Sequence, residues 1–384
     1  MKIVRLFAAT AALAGCGIIA ASYTPPAAAE AAYETSAGRI AVKRLADGLD
    51  VPWAVAPLPN GGALVTEKDG RLLHFSPAWE RQEVSGLPPI STGGQGGLLD
   101  VTLAQDFAET RTLFLSFSED ADGGRRTAAV SARLSADGGS LQEVRPIFAQ
   151  EPALSGGRHF GSRIVETADG MLFITTGDRG NADLAQELDG HVGKVIRVTR
   201  DGAVPGDNPF REQGGALPEI WSYGHRNIQG AALDEQGRLW TLSHGARGGD
   251  EINLAEPGLN YGWPVISYGT HYSGAKIGRG TAQAGMEQPK WYWDPSIAPS
   301  GLMIYSGRLF PDCEGDLFAG ALKFDYISRL ERGGAAGDAI ESEEKLFEGV
   351  YQRVRDIVEA PDGSIWFLAV GEGALFRIAP AESG

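Results

Sequence analysis

The chain has 384 residues, with 49 Asp or Glu against 34 Lys or Arg and a formal net charge of −15. A surface of that sign is repelled at long range by nucleic acid and by anionic membrane, so neither is an expected partner. Two cysteines cannot frame a disulfide-held fold, and no proline-rich, serine-rich or single-charge linker divides the chain after residue 40.

The opening MKIVRLFAATAALAGCGIIAASYTPPAAAEA sets two cations before an apolar run from Leu6 to Ala21 and ends in small residues at 27–29. That is the pattern of an export leader cleaved near Ala29. LAGC at 13–16 also resembles a bacterial lipobox, which would anchor the protein through Cys16 instead. Residues 1–29 are expected to be a signal peptide and 30–384 one domain, periplasmic or otherwise exported. No other stretch is long and apolar enough to span a bilayer, and Cys313 is left without an evident intramolecular partner.

Six similar units follow in order. They are PNGGALVTEKDGRLLHF (59–75), ETRTLFLSFS (109–118), ADGMLFITTGD (168–178), EQGRLWTLSHG (235–245), CEGDLFAGAL (313–322) and PDGSIWFLAVGEGALFRI (361–378). In each, a turn launches four to six alternating or wholly apolar residues, which reads as a hairpin strand. The turns at 61, 109, 169, 236, 314 and 362 are 48 to 78 residues apart, room for a four-stranded sheet and a variable loop. The expectation is an all-β, six-bladed β-propeller with four-stranded antiparallel blades around a central channel; a β-sandwich would share the short strands but not the six equivalent units. GRIAVKRLADGL near the N-terminus is predicted to pair beside the last strand and close the ring. Function is expected on the polar, glycine-rich loops that follow strand ends.

Those loops carry the candidate chemistry. SGGRHFGSR (155–163) sets His159 among Gly156, Gly157 and Gly161. Either the glycines serve a turn and the histidine caps a strand, or open space surrounds a ring suited to general-base work near neutral pH. YGHRNIQG holds Arg226 and Asn227, GALKFDYI holds Lys323, and YQRVRDI holds Arg353 and Arg355, two apart and so on one face of a strand. Surface salt bridges account for each cation singly, whereas the set points to a carboxylate-bearing ligand. HGARGGDEINLAEPGLNYGWP (244–264) adds Asp250, Glu251 and Tyr261 beside glycine-freed carbonyls, which suits a hard cation such as Ca²⁺ or a plain solvated turn; EF-hand spacing is absent. Neither a GxSxG elbow nor a P-loop occurs.

Taken in order, GGQGGLLDVTL, RHFGSRIV, LPEIWSYGHRNIQGAAL, GARGGDEINLAEPGLNYGWP, GALK and RVRDIVEAPDG resemble the soluble quinoprotein aldose dehydrogenases of the glucose/sorbosone dehydrogenase family, most closely the periplasmic aldose sugar dehydrogenase branch. The resemblance implies a propeller that binds pyrroloquinoline quinone (PQQ) and Ca²⁺ and oxidises aldoses at the anomeric carbon to aldonolactones. It makes His159 the base that takes the anomeric proton and Arg226 the side chain near the quinone oxygen. It makes Gln95, Asn227, Ser296, Lys323, Arg353 and Arg355 cofactor-binding, the first also near substrate. The carbonyls of Gly245 and Ala246 would hold the cofactor's Ca²⁺, and Asp250, Glu251 and Tyr261 a second one.

The chain departs from that pattern at Arg158, where the glucose-specialised branch has an acid, at Arg179 in place of an amide, and at Ala246 in place of proline. Substrate preference is therefore the part of the resemblance least supported. An unidentified periplasmic electron acceptor is implied, and the lack of large dimerisation insertions suggests a monomer. The alternatives are a calcium-dependent sugar lactonase propeller, which needs no three-blade cation set, and a non-catalytic envelope propeller, which needs no His159.

Overall fold

The computed structural model describes residues 31–381, so the leader and the Cys16 lipobox lie outside the described residues. At five of the six turns a glycine takes up the left-handed backbone before the second strand of a unit, as at Gly170 (φ 79°) and Gly237 (φ 77°). Only glycine does so without steric cost. In the remaining unit a short helix, Phe107–Thr110, makes the reversal, and Arg111 caps it at φ 59°. Each of the six turns falls between the first and second strands of a sheet.

The sheets are four-stranded and antiparallel in five blades, beginning with Pro52–Pro57, Leu98–Leu103, Ile164–Glu166, Ile228–Leu233 and Pro299–Ile304. The sixth begins with Val354–Glu359 and has five strands, one more than expected. Two of the five come from the N-terminal side and complete three C-terminal strands: Gly38–Ala46 pairs with Ala374–Pro380, and Ala31–Thr35 pairs with Gly38–Ala46. The predicted ring closure is therefore present, with Ile40 and Val42 buried in the core of that blade. First strands of successive blades touch around the ring, the sixth meeting the first, so this is a six-bladed β-propeller.

Apolar faces of neighbouring blades pack between the sheets, for example Trp53, Leu64, Leu98, Leu115 and Phe117 between the first two. Inside the channel a buried ion cluster ties the walls together. Arg163 contacts Asp100 at 2.9 Å and Asp356 at 2.8 Å, and donates Nε–H to the Gln229 carbonyl at 2.7 Å. The second oxygens of Asp100 and Asp356 accept the backbone N–H of Ile164 and Val55 at 2.8 and 2.9 Å. Burial opposes charge on Arg163, but Asp356 and Asp100 outweigh it and hold its pKa above the ordinary value. Cys313 is buried and unpaired. Among the described residues, no helix is long and apolar enough to cross a membrane.

Candidate active site

Because the first strands of all blades run the same way along the channel, the loops that precede them open at one end. The second strand of a blade runs back, so the loop after it opens at that same end. This topology gathers Gln95, His159, Arg226, Asn227, Ser296 and Arg353, which precede first strands, with Asp178, Gly245, Ala246 and Lys323, which follow second strands.

Within that end lies a cavity of about 230 Å³ whose lining includes Trp53, Lys68, Gln95, Asn227, Gln229, Arg353 and Arg355. Four of the residues singled out in the sequence thus share one space, although the chain separates them by up to 260 positions. Arg355, on the sixth blade's first strand, donates to Gln229 Oε1 at 2.8 Å and lies 4.2 Å from the Trp53 ring centroid. Burial draws its pKa down to about 9, so it stays cationic at neutral pH.

Arg353 corrects the sequence argument. It precedes the strand at φ 57°, so a shared strand face does not relate it to Arg355. The two share the cavity wall with Leu322, whose carbonyl accepts from Arg353 Nη1 at 3.3 Å. Ser296 and Lys323 are not brought to the cavity wall. Ser296 donates to Asp250 Oδ2 at 2.7 Å, and exposed Lys323 holds its ammonium 4.5 Å from the Phe324 ring.

His159 is not surrounded by open space. Its side chain is 12 % exposed, and Nδ1 lies 2.6 Å from Asp178 Oδ1. The nearby glycines instead let two loops touch: a Cβ on Gly94 would fall 2.3 Å from the Gly157 carbonyl oxygen. Gln95 donates its backbone N–H to Gly157 and accepts that of His159, each at 2.7 Å. Those bonds hold His159 at φ 55°, a left-handed conformation that is strained for a side chain of this kind.

Asp178 is the candidate that sequence reasoning passed over, although it adjoins Arg179 in TTGDRGN. It also accepts from Gly180 N–H at 2.7 Å and Trp263 Nε1–H at 2.9 Å. Burial would raise its pKa, but the His159 hydrogen bond and charge, the Gly180 amide and Arg226 outweigh it and keep the group ionised. An ionised Asp178 fixes the proton on His159 Nδ1 and leaves the Nε2 lone pair free. Burial lowers the His159 pKa more than Asp178 raises it, so the ring is neutral at neutral pH. Neighbouring histidines are spent: His244 Nε2 faces the Pro299 carbonyl and His225 Nε2 the Ser222 hydroxyl.

Arg226 donates to the His244 carbonyl at 3.2 Å and lines a small cleft beside the main cavity with Gly245, Glu251 and Tyr261. Nε of Arg226 and Nε of Arg355 are buried without a partner, two donors able to meet an anionic ligand. The buried carbonyls of Gly245 and Ala246 receive none of the described hydrogen bonds, so they are spare acceptors for a hard cation.

The second calcium set divides. Asp250 is held by the Gly245, Ile297 and Ala298 amides and by Ser296, whereas Glu251, the next residue along the strand, faces Asn253. Successive strand residues point to opposite faces, so the two carboxylates do not converge. The Tyr261 hydroxyl is spent on the Leu254 carbonyl and the Glu256 amide. Among the described residues no three acidic, His or Cys side chains cluster to hold a metal. Burial pushes the Glu251 carboxyl up to about 7, against the hydrogen bond from Asn253.

The family model described as glucose/sorbosone dehydrogenase matches residues 49–377. The chain is 43 % identical over 346 residues to aldose sugar dehydrogenase YliI of Escherichia coli strain K12, covering 88 % of this chain and 92 % of that protein. It is similar to the crystal structure of the soluble aldose sugar dehydrogenase from E. coli in its apo form, with TM-score 0.85, 42 % identity, and coverage of 89 % of this chain and 100 % of that one. The PQQ-bound aldose sugar dehydrogenase of Streptomyces coelicolor is similar at TM-score 0.73 and 26 % identity, over 91 % of this chain and 99 % of that one.

Proposed function

The chain belongs to the glucose/sorbosone dehydrogenase family, and from that premise we propose that it oxidises aldoses at the anomeric carbon to aldonolactones, using PQQ and Ca²⁺. The observation that carries the reading is the meeting of Gln95, Asn227, Arg353 and Arg355 on one cavity beside the His159–Asp178 pair. A planar tricarboxylate fits that donor set: Arg353 and Arg355 would face its carboxylates, Asn227 and Gln95 its edge, and the carbonyls of Gly245 and Ala246 its calcium ion. When bound, the quinone supplies a two-electron acceptor and the ion a Lewis acid.

The protein's own part is proton transfer and charge placement. His159 Nε2 takes the proton of the anomeric hydroxyl as the C1 hydrogen departs with its electron pair, leaving the lactone carbonyl. Asp178 stabilises the imidazolium that forms and keeps the ring from rotating. Arg226, buried with a spare N–H, stabilises negative charge developing beside it. An export leader at residues 1–29 would put this activity outside the cytoplasm, where a separate acceptor would take the electrons from what is expected to be a monomer.

Protein incubated with PQQ and Ca²⁺ is expected to reduce an artificial dye when aldoses are added and to ignore NAD. A loaded sample that reduces no dye with any aldose would overturn the reading. The pH profile gives a second check. A base with a depressed pKa remains competent below the ordinary histidine value, so the acid limb of kcat/KM is expected to be centred below 6.5. An acid limb centred above that value would assign the titration to another group.

A further inference from the structure

Two guanidinium groups stand beside His159 without a carboxylate partner, on a protein of net charge −15. Arg158, the residue before the base, is exposed, and its side chain makes no hydrogen bond or ion pair among the described residues. It lies against the 178–180 turn, where a Cβ on Gly180 would fall 2.4 Å from Arg158 Nε. Arg179 is 2 % exposed. Its guanidinium donates to the Arg158 carbonyl and, at 3.0 Å, to that of Gly156, and sits 3.5 Å from the Phe160 ring centroid. Nε of Arg179 has no partner, and burial draws its pKa down to about 10 against the attraction of Asp178, so it stays charged while its hydrogen bonds go only to neutral carbonyls.

On the abutting loop Arg125 lies 3.4 Å from the Gly93 carbonyl, partly offset by Asp120 at 3.4 Å. The nearest carboxylate, Asp178, is committed to His159 and Trp263.

Neither Arg158 nor Arg179 lines the cavity that gathers Arg353 and Arg355, so these charges stand apart from the donor set proposed for the cofactor. They flank the base, where the substrate must lie. An arginine side chain adjacent to the base spans a distance comparable to one sugar ring, and a guanidinium free of partners pairs best with a planar carboxylate or a phosphate. We infer that the site takes aldoses carrying an anionic group remote from the anomeric carbon, with Arg158 as the recognising side chain and Arg179 as the residue that holds its backbone in place. This deepens, and rests on, the aldose oxidation proposed above.

The test compares kcat/KM for glucose, glucuronic acid and glucose 6-phosphate at low and high ionic strength. It uses PQQ-loaded wild type and Arg158→Gln, with PQQ titrated into both. The anionic sugars are expected to exceed glucose by about tenfold at low salt. That preference should collapse at high salt and in Arg158→Gln, with PQQ affinity held. The faster of the two anionic sugars tells carboxylate from phosphate. Equal rates for charged and neutral sugars, a preference that survives Arg158→Gln, or weakened PQQ binding in the variant each overturns the inference. If glucose is oxidised without any charge preference, this inference alone fails; if no aldose is oxidised by loaded protein, the proposed activity fails first.

Discussion

Replacing His159 by alanine is expected to slow aldose-dependent dye reduction by about 10²- to 10⁴-fold while leaving PQQ bound. The ring does not line the cavity that gathers Gln95, Asn227, Arg353 and Arg355, so on the proposed mechanism its loss would remove a proton acceptor and leave that donor set intact. No other imidazole can substitute, because His244 and His225 are turned to the Pro299 carbonyl and the Ser222 hydroxyl. The rate that survives would come from orientation and from Arg226. Asp178→Asn should reproduce much of the loss with His159 still present, since an amide carbonyl no longer holds Nδ1–H as an ionised oxygen does. Rates and a PQQ titration measured on the same samples check both variants. Turnover within a few-fold of wild type in His159→Ala would remove the histidine from the mechanism.

Arg163→Met is expected to cost about 3–5 kcal/mol of folding stability, because it strands the carboxylates of Asp100 and Asp356 in the channel. The cluster is deeply buried, so it lacks the solvent screening that makes exposed pairs nearly neutral. The sign of the pH effect follows. An unpaired buried carboxyl has a folded-state pKa above its unfolded value, so the folded variant binds protons more readily and regains stability as pH falls through that pKa. The gap between variant and wild type should therefore narrow towards acid. Adding Asp100→Asn and Asp356→Asn should recover part of the loss at neutral pH, since each amide oxygen can still accept the Ile164 or Val55 N–H. Urea unfolding at several pH values reads all of this. A loss below about 1 kcal/mol would class the cluster with ordinary surface pairs.

The six turns, their strands and the closing strand at Gly38–Ala46 were legible in the sequence because they depend on local chemistry: a glycine that permits a left-handed turn, and apolar residues alternating along the strand that follows. His159 was legible as a candidate through its glycine-rich setting, although the reason for the glycines was misjudged. They bring two backbones into contact, which only the folded loops reveal. Arg353 and Arg355 were grouped for the wrong reason and still meet.

Composition and turn spacing by themselves determined a six-unit, all-β chain with cations in several loops. Only the tertiary structure decided that Asp178 holds His159, that Arg355 rests on Trp53, that Asp250 and Glu251 face apart, and that Ser296 and Lys323 lie off the cavity wall. The physical reason is that a blade's own residues specify its strands, whereas the position of one loop against another is set by closing the ring. Contacts across the channel join residues hundreds of positions apart, such as Val55 and Asp356, and no local periodicity carries that information.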